Sequence, residues 1–296
     1  MRGLSSGETA SGVDSGLGIG SIYGVLALGY YITYAVSNTV NFAQGTSMML
    51  GAVLCFALKV KLGWPLPAAV VLALGLCALW GMLIERFAVR PFVTARSNAW
   101  LMSTVAVGIV LENVVLFTFG KEPRSLPPLF AVEPFTVGGV AISPLQVLIP
   151  LAGITVAVAL HQFSSRTKTG KALLAIVQNS EAASLMGISV SNAIMLCYAA
   201  STVFAGLAGI LIAPLFAVSA DMGTLFGIKA FAVAILGGIS SARGVVIAGF
   251  LYGLTEALIT SFAGSSYTNI VTFTLVIAAL AVRPHGLFGH AAVKKV

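Results

Sequence analysis

Residues 193–216 read AIMLCYAASTVFAGLAGILIAPLF and contain no charged residue. Long uncharged blocks of this kind recur along the chain, at residues 15–58, 62–84, 134–165, 182–220 and 257–282. A helix needs ~20 apolar residues to cross the hydrocarbon core of a bilayer. Each block therefore has room for one or two membrane spans.

The composition agrees with burial in lipid. Of the 296 residues, 8% are charged and 58% are hydrophobic, whereas roughly a quarter of the residues in soluble domains are charged. The blocks lack the alternating polarity of a transmembrane β-barrel, so helices must satisfy the backbone in lipid. The net charge of +7 is spread over short loops between blocks, which is typical of charges that orient spans and not of nucleic-acid binding.

The predicted fold is all-α, a polytopic transmembrane helix bundle of about 8 to 10 spans that include short or re-entrant helices. Residues 1–14 are predicted to form a disordered tail, residues 15–290 a single membrane domain, and residues 291–296 a cytoplasmic tail. The predicted helices cover residues 15–37, 47–58, 65–85, 98–119, 144–162, 193–216, 226–240, 244–262 and 268–282.

Basic residues in short loops predict the orientation of the spans. They cluster in four segments that nine alternating spans place on one side, which we assign to the cytoplasm. These residues are Arg86, Arg90, Arg96, Arg166, Lys168, Lys171, Arg243, Arg283, Lys294 and Lys295. The same count places the N-terminus outside.

Glycines at four-residue spacing predict close helix packing. Gly16, Gly20 and Gly24 form one such row, and Gly249 and Gly253 form another. A glycine-lined pathway is the alternative.

The predicted periplasmic loop, residues 121–143, contains FTVGGVAI at residues 135–142. Two short strand-like runs around Gly-Gly predict a β-hairpin. A hairpin alone is marginal in water, so it either covers its own helices or docks an extracytoplasmic partner.

The predicted cytoplasmic loop, residues 164–192, contains a short second helix. Ser180 is predicted to cap it, Glu181 favours the positive end of its dipole, and Gly187 ends it. Leu185 and Met186 would then project from it. Such a helix either lies on the membrane surface or sits in a groove of a partner protein.

Two amides lie close together in Asn41-Phe42-Ala43-Gln44-Gly45. They suit a non-helical stretch that lines a cavity at membrane depth. Bridging between helices is the alternative.

Two carboxylates fall within predicted spans, at Glu112 and Glu256. A charge at the bilayer centre costs about 3 kcal/mol on insertion scales, so both should face protein or water. Lys229 in the seventh span is a candidate counter-ion for either one. The spacing does not separate a structural pair from a substrate site.

The sequence shows no catalytic or metal-binding pattern. Cys55, Cys77 and Cys197 lie in apolar blocks without ligand-like spacing, and buried packing accounts for them. The run Gly170-Lys171-Ala172 lacks the upstream glycine and the Ser or Thr of a phosphate-binding loop. We expect no bound metal or cofactor and no nucleotide hydrolysis by the chain itself.

Eight short motifs follow one another along the chain. They are GY at 29–30, VNFAQG at 40–45, ERFAVRP at 85–91, TGKA at 169–172, ASLMGI at 183–188, GIKAF at 227–231, LGGI at 236–239 and RPHGLFG at 283–289. In these motifs, and in their order, the chain resembles the permeases of branched-chain amino-acid ABC importers.

The resemblance implies a multi-pass protein of the bacterial cytoplasmic (inner) membrane. Its partners would be a second permease, as a hetero- or homodimer, two cytoplasmic ATP-binding subunits that use ATP and Mg, and a periplasmic substrate-binding protein. The short inner helix is similar to the coupling helix that docks on the ATPases, here Ser180, Glu181, Ala182, Ala183, Leu185, Met186 and Gly187. Candidate residues of the substrate pathway are Asn41, Phe42, Gln44, Gly45, Glu112, Asn113, Lys229 and Glu256.

Three positions depart from the family pattern. Members of the family usually have His at the position of Gln44 and often have Gln at the position of Glu112. They commonly have Pro near the position of Arg243. Branched-chain or other small hydrophobic amino acids are the expected cargo. Urea, amides and aromatic or other organic acids stay open, as do an ion-coupled carrier or channel and a purely structural scaffold.

Overall fold

The computed structural model describes residues 6–126, 135–137, 140–142, 144–284 and 286–289. Within them the chain is built almost entirely of helices. They are α1 (Ser6–Ser37), α2 (Gln44–Phe56), α3 (Leu66–Leu83), α4 (Arg90–Thr94), α5 (Trp100–Phe119), α6 (Pro144–Arg166), α7 (Lys168–Gln178), α8 (Ser180–Leu185), α9 (Val190–Ile212), α10 (Met222–Gly237), α11 (Ala242–Ala263) and α12 (Ser265–Val282). Two π-helical segments, Ala57–Lys61 and Ile84–Val89, continue α2 and α3.

In this part of the chain, seven helices are long and apolar enough to cross a membrane. Helix α10 is a shorter apolar helix, and α2 with its π-helical continuation is another short helix of the bundle. Together these nine helices overlap the nine predicted helices. The predicted all-α polytopic bundle is confirmed.

Several boundaries differ from the prediction. The helix α1 begins at Ser6, within the tail predicted for residues 1–14. Helices α2 and α10 begin three or four residues early, at Gln44 and Met222, and α6 continues to Arg166. A formed helix extends cooperatively through polar residues once an apolar segment has nucleated it, so hydropathy alone underestimates its length. Residues 1–5 and the predicted tail at 291–296 lie outside the described residues.

Two helices form the centre of the bundle. Within their most apolar windows, 72% of the residues are buried in α1 and 61% in α9, against 11% in α6 and 17% in α12. The first two pack against each other, and α2, α3, α10 and α11 surround them. Helices α6 and α12 therefore lie at the periphery, with most of their surface available to lipid.

The predicted glycine rows form the contact between α1 and α11. A Cβ atom on Gly253 would lie 2.3 Å from the Cα of Gly20, and one on Gly249 would lie 2.7 Å from the Cα of Gly24. Backbones this close leave no space for a side chain. The packing interpretation of these glycines is confirmed.

The outer hairpin is present as two strands, β1 (Phe135–Val137) and β2 (Val140–Ile142), which pair antiparallel. The strand β2 contacts α1. The hairpin thus rests on its own helices, while its predicted Gly138-Gly139 turn lies outside the described residues.

Candidate functional site

The break between α1 and α2 begins at the exposed Asn38 and is buried from Thr39 to Asn41. Asn38 adopts a left-handed φ of 52°, and the Asn41 Oδ1 atom accepts a hydrogen bond from the Ala43 backbone N–H at 3.1 Å. Residues 38–43 are non-helical, whereas Gln44 and Gly45, which were predicted to belong to the non-helical stretch, form the first turn of α2. Asn41 is fully buried.

Gln44, at the start of α2, joins three helices. Its Nε2 donates to the Ser201 carbonyl in α9 at 3.0 Å and to the Leu26 carbonyl in α1 at 3.4 Å. Its Oε1 accepts from the Ser201 hydroxyl at 2.9 Å. The side chain is fully buried, so the bridging interpretation of this amide applies.

A cavity of about 310 Å³ opens beside this junction, among α1, α2, α5 and α10. We call it the α5 cavity. Its lining residues are Tyr30, Phe42, Gly45, Thr46, Val105, Gly108, Ile109, Glu112, Thr224, Gly227, Ile228 and Phe231. Half of these twelve residues have aliphatic or aromatic side chains, three are glycines and three are polar.

Glu112 supplies the carboxylate of the α5 cavity. Its Oε2 accepts a hydrogen bond from the Thr224 hydroxyl in α10 at 3.1 Å. Neither Lys229 nor any other cation forms an ion pair with it in the described part of the chain. The carboxylate thus faces a largely apolar space and is held by one neutral donor.

The N-terminal turn of α2 forms another part of the wall, through Gly45 and Thr46. A Cβ atom on Gly45 would lie 2.2 Å from the Gly223 carbonyl oxygen of α10, so only glycine permits this helix contact. The start of a helix carries a partial positive charge and backbone N–H groups without helical partners. The cavity therefore combines a carboxylate with a weakly positive helix end.

Lys229 and Glu256 form a separate site. The Lys229 ammonium contacts the Glu256 Oε1 atom, joining α10 to α11, and both side chains are largely buried. The ammonium also lies 5.9 Å from the ring centre of Tyr23 in α1. Glu112 and Glu256 were the two predicted partners of Lys229, and the structure pairs it with Glu256. Neither Lys229 nor Glu256 lines the α5 cavity.

Asn113 also lies away from the cavity. Its Nδ2 donates to the Ile109 carbonyl one turn earlier in α5, and the side chain is exposed on the outer face of that helix. The structure therefore brings Phe42, Gly45 and Glu112 together and separates them from the other pathway candidates.

The inner loop forms α7 and α8. Asn179, and not the predicted Ser180, caps α8: its Oδ1 accepts from the backbone N–H groups of Glu181 and Ala182 at 3.1 and 3.0 Å. Both residue types are good caps, and the extended backbone at Asn179 decides between them.

The C-terminal end of α8 has the predicted glycine stop. Gly187 has a φ of 85°, its N–H donates to the Ser184 carbonyl, and the Ile188 N–H donates to the Ala183 carbonyl. This pair of hydrogen bonds is a Schellman motif. Leu185 and Met186 are 87% and 83% exposed, whereas Ala183 is 4% exposed and faces the bundle.

Sequence reasoning missed most of the cavity wall. Its residues follow helical spacing in two rows, Val105, Gly108, Ile109 and Glu112 in α5 and Thr224, Gly227, Ile228 and Phe231 in α10. This spacing places each row on one face of its helix. The helical spacing around Glu112 could have indicated the cavity-lining face of α5. Because α5 and α10 carry apolar residues on every side, hydropathy does not distinguish this face from the others.

Comparisons with known proteins agree with this architecture. A sequence model of the family described as "Branched-chain amino acid transport system / permease component" matches residues 12–280. The high-affinity branched-chain amino acid transport system permease protein LivH of Escherichia coli (strain K12) is 32% identical over 95% of this chain and 96% of its own length. BraD of Pseudomonas aeruginosa, which carries the same description, is 32% identical with the same coverage.

A solved structure, PsaBC from Streptococcus pneumoniae in complex with Fab, shares the fold. The alignment covers 92% of this chain and 91% of that chain, with a TM-score of 0.50 and 15% identity. The family resemblance seen in the short motifs is confirmed by the long matches. The chain is a multi-pass membrane protein and belongs to the family of permease components of branched-chain amino acid transport systems.

Proposed function

We propose that this chain is the permease subunit of an ATP-binding-cassette importer in the bacterial inner membrane, and that its cargo passes through the α5 cavity. The cargo is a branched-chain or other small hydrophobic amino acid. One observation carries the proposal: an apolar cavity of about 310 Å³ that contains the carboxylate of Glu112. Relatives named as branched-chain amino acid permeases support the same cargo.

The chemistry of the cavity is complementary to an amino acid. The Glu112 carboxylate is available to a substrate ammonium group, and the start of α2 at Gly45 and Thr46 attracts a substrate carboxylate. Ile109, Ile228 and the aromatic rings then receive the apolar side chain. The volume lies at the lower end of the range of about 300–1,000 Å³ for small-molecule sites.

The same features discriminate against other cargo. An organic acid without an ammonium group would place a negative charge near Glu112 at low dielectric, where like charges repel strongly. Urea and short amides would leave the apolar wall in contact with water, which forgoes the main source of affinity. These compounds serve as the comparison substrates in the test.

The open side of the cavity indicates a partner in the membrane. Glu112 is half-buried and Asn113 is exposed on α5, next to exposed Ile109 and Phe117. A carboxylate left facing lipid would cost about 3 kcal/mol on insertion scales. We infer that a second permease covers this face and completes the pathway.

The helix α8 supports a contact with the cytoplasmic ATPases. Its two ends are fixed by the Asn179 cap and the Gly187 stop, and it presents Leu185 and Met186. A fixed helix with exposed apolar side chains fits a groove in a partner protein. ATP-driven closure of those subunits would then move α8 and rock the bundle between outward and inward openings. The outer loop is the corresponding candidate contact for a periplasmic binding protein.

The test of the cargo uses the complete importer in proteoliposomes loaded with ATP. Glu112→Gln keeps an acceptor for Thr224 and removes the charge. Replacing a charged hydrogen bond by a neutral one costs about 1 kcal/mol, so the KM for leucine should rise five- to tenfold.

The control is Asp221→Asn, which removes an acidic charge in the outer loop, outside the cavity. It should transport leucine as the unmodified protein does. Preferred uptake of benzoate or urea would overturn the amino-acid assignment. Uptake that follows a proton gradient and needs no ATP would indicate an ion-coupled carrier.

The test of the coupling contact is Leu185→Asp. Burial of a leucine at an interface contributes about 1.5–3 kcal/mol, so co-purification of the ATPases should fall about tenfold or more. Ser184→Asp places the same charge one residue earlier on an exposed position of α8 and is the matched control. Undiminished co-purification with Leu185→Asp would contradict the assignment.

A further inference from the structure

A second cavity lies among α1, α6, α7 and α9, at the end of the bundle that the basic loops assign to the cytoplasm. Its volume is about 390 Å³, and it is open on one side. We call it the α7 groove. Its lining residues are Tyr31, Ile32, Ala35, Val36, Val156, Ala159, Leu160, Phe163, Ser164, Leu173, Leu174, Val177, Leu196, Cys197, Ala200 and Phe204.

The groove is separate from the α5 cavity, because the two share no lining residue. Its wall is almost wholly apolar. The rim around its open side is partly exposed and consists of Phe163, Leu174, Val177 and Leu196. Helix α6, which forms one side, is among the least buried spans. The open side of the groove therefore faces the hydrocarbon of the bilayer.

Helix α7 has the composition of a helix at the membrane surface. It turns Ile176 toward the protein and Leu173 and Leu174 into the groove, while Lys168 and Lys171 are exposed. Amphipathic helices with lysines on the polar face lie at the boundary between headgroups and acyl chains. The groove thus begins at headgroup depth and extends toward the acyl chains.

Three cations surround that boundary. Arg166 is the last residue of α6, three residues after Phe163, and Lys168 and Lys171 begin α7. None of the three forms an ion pair within the described ranges of the chain. No acidic residue occurs in the sequence between Glu133 and Glu181. Helices α6 and α7 thus carry three cations and no acidic residue, and Glu181 in the neighbouring α8 forms no ion pair with them.

We propose that the α7 groove binds an anionic phospholipid of the cytoplasmic leaflet. One acyl chain occupies the groove, and the phosphate contacts Arg166 and Lys171, with Lys168 adding to the local potential. Basic residues at the cytoplasmic end of a groove between spans are suited to anionic headgroups. A neutral protein face would leave the three charges without partners, so charge complementarity favours the lipid.

The experiment measures lipids retained by the complete importer in native mass spectra. The importer is purified from nanodiscs that contain equal amounts of phosphatidylglycerol and phosphatidylcholine with matched acyl chains. We expect preferential retention of phosphatidylglycerol. Each basic residue near an anionic membrane contributes about fivefold in binding, so Arg166→Gln with Lys171→Gln should remove most of the preference.

The matched control is Lys59→Gln with Lys61→Gln, which removes two cations from the π-helical segment after α2, outside the α7 groove. It should retain the preference. Equal retention of the two lipids by the unmodified importer would overturn the proposal, because the groove would then hold any acyl chain. An undiminished preference after removal of Arg166 and Lys171 would overturn it as well.

A second pair of variants tests the groove itself. Ala159→Trp fills it from α6, whereas Val158→Trp adds the same ring at an exposed position outside it. We expect retained phosphatidylglycerol to fall at least fivefold with Ala159→Trp and to persist with Val158→Trp. Cross-linking to a second permease from a thiol-reactive photoprobe attached at Ala159→Cys would show that a protein occupies the groove and would overturn the lipid assignment.

Discussion

Glu112 and Glu256 look alike in the sequence and differ in the structure. Each is a single carboxylate within an apolar span. Glu256 contacts the Lys229 ammonium in a packed site between α10 and α11. Glu112 accepts one hydrogen bond from Thr224 and faces the α5 cavity.

The difference separates two ways of keeping a carboxylate in a membrane. A buried charge is tolerated when an opposite charge lies beside it. Lys229 supplies that charge at the Oε1 atom of Glu256, while the Oε2 atom is buried without a hydrogen-bond partner among the described residues. A carboxylate beside an open cavity is tolerated because water or a ligand can reach it. Substitution of Lys229 or Glu256 should therefore lower the stability of the protein, whereas substitution of Glu112 should change transport.

The largest effect is expected from Lys229→Met, which leaves the Glu256 charge buried without its partner. Breaking a buried pair in this way costs about 3–5 kcal/mol. The free energy of unfolding, measured by titration with denaturing detergent in mixed micelles, should fall by that amount. The control is Lys229→Met combined with Glu256→Met, which removes both charges and should recover most of the loss. A double variant as unstable as the single one would show that the pair is not the source of the stability.

Gln44→Leu should have an intermediate effect. It removes the hydrogen bonds that join α2 to α1 and α9 and leaves the Ser201 hydroxyl with a single acceptor, the Gly29 carbonyl. A buried polar group that loses its partner costs about 1–3 kcal/mol. The same detergent titration should show this loss, while leucine uptake per folded importer stays unchanged. A large change in KM with unchanged stability would place Gln44 in the pathway.

The spans could be predicted from the sequence because the absence of charge is a strong and local signal. The cap of α8 was missed by one residue, since Asn179 and Ser180 are adjacent and both cap well. The glycine stop and the exposed Leu185 were predicted because each depends on local sequence. Features within a single helix were therefore accessible.

Contacts between helices could not be predicted from the sequence. The choice of Glu256 over Glu112 as the partner of Lys229 depends on which face of α10 packs against α11, and sequence spacing does not contain it. The same holds for Gln44, whose partners lie 18 and 157 residues away along the chain. In α5 and α10 apolar residues surround the whole helix, so hydrophobic periodicity does not mark the cavity face.

Thr224→Val sharpens the role of the cavity. The substitution keeps the shape of the side chain and removes the donor to Glu112. Without that donor the carboxylate is less well held at the position where it would meet an ammonium group. A hydrogen bond to a charged group contributes about 1.5–3 kcal/mol to stability. Because water can replace this hydrogen bond in an open cavity, we expect the KM for leucine to rise only about threefold to fivefold. Thr255→Val is the control, since its hydroxyl bonds only within α11.

The smallest expected effect is that of Glu112→Gln on stability. This variant tests most directly whether Glu112 and Glu256 have different roles. Glu112 has no ion pair among the described residues, so loss of its charge leaves no buried cation behind. Substitutions outside packed or paired sites usually change the free energy of unfolding by less than about 0.5 kcal/mol. The detergent titration should show no more than this for Glu112→Gln, whereas Glu256→Gln should destabilise the protein because Lys229 then loses its counter-charge. Similar losses for the two variants would mean that both carboxylates are structural and that the α5 cavity has no charged substrate contact.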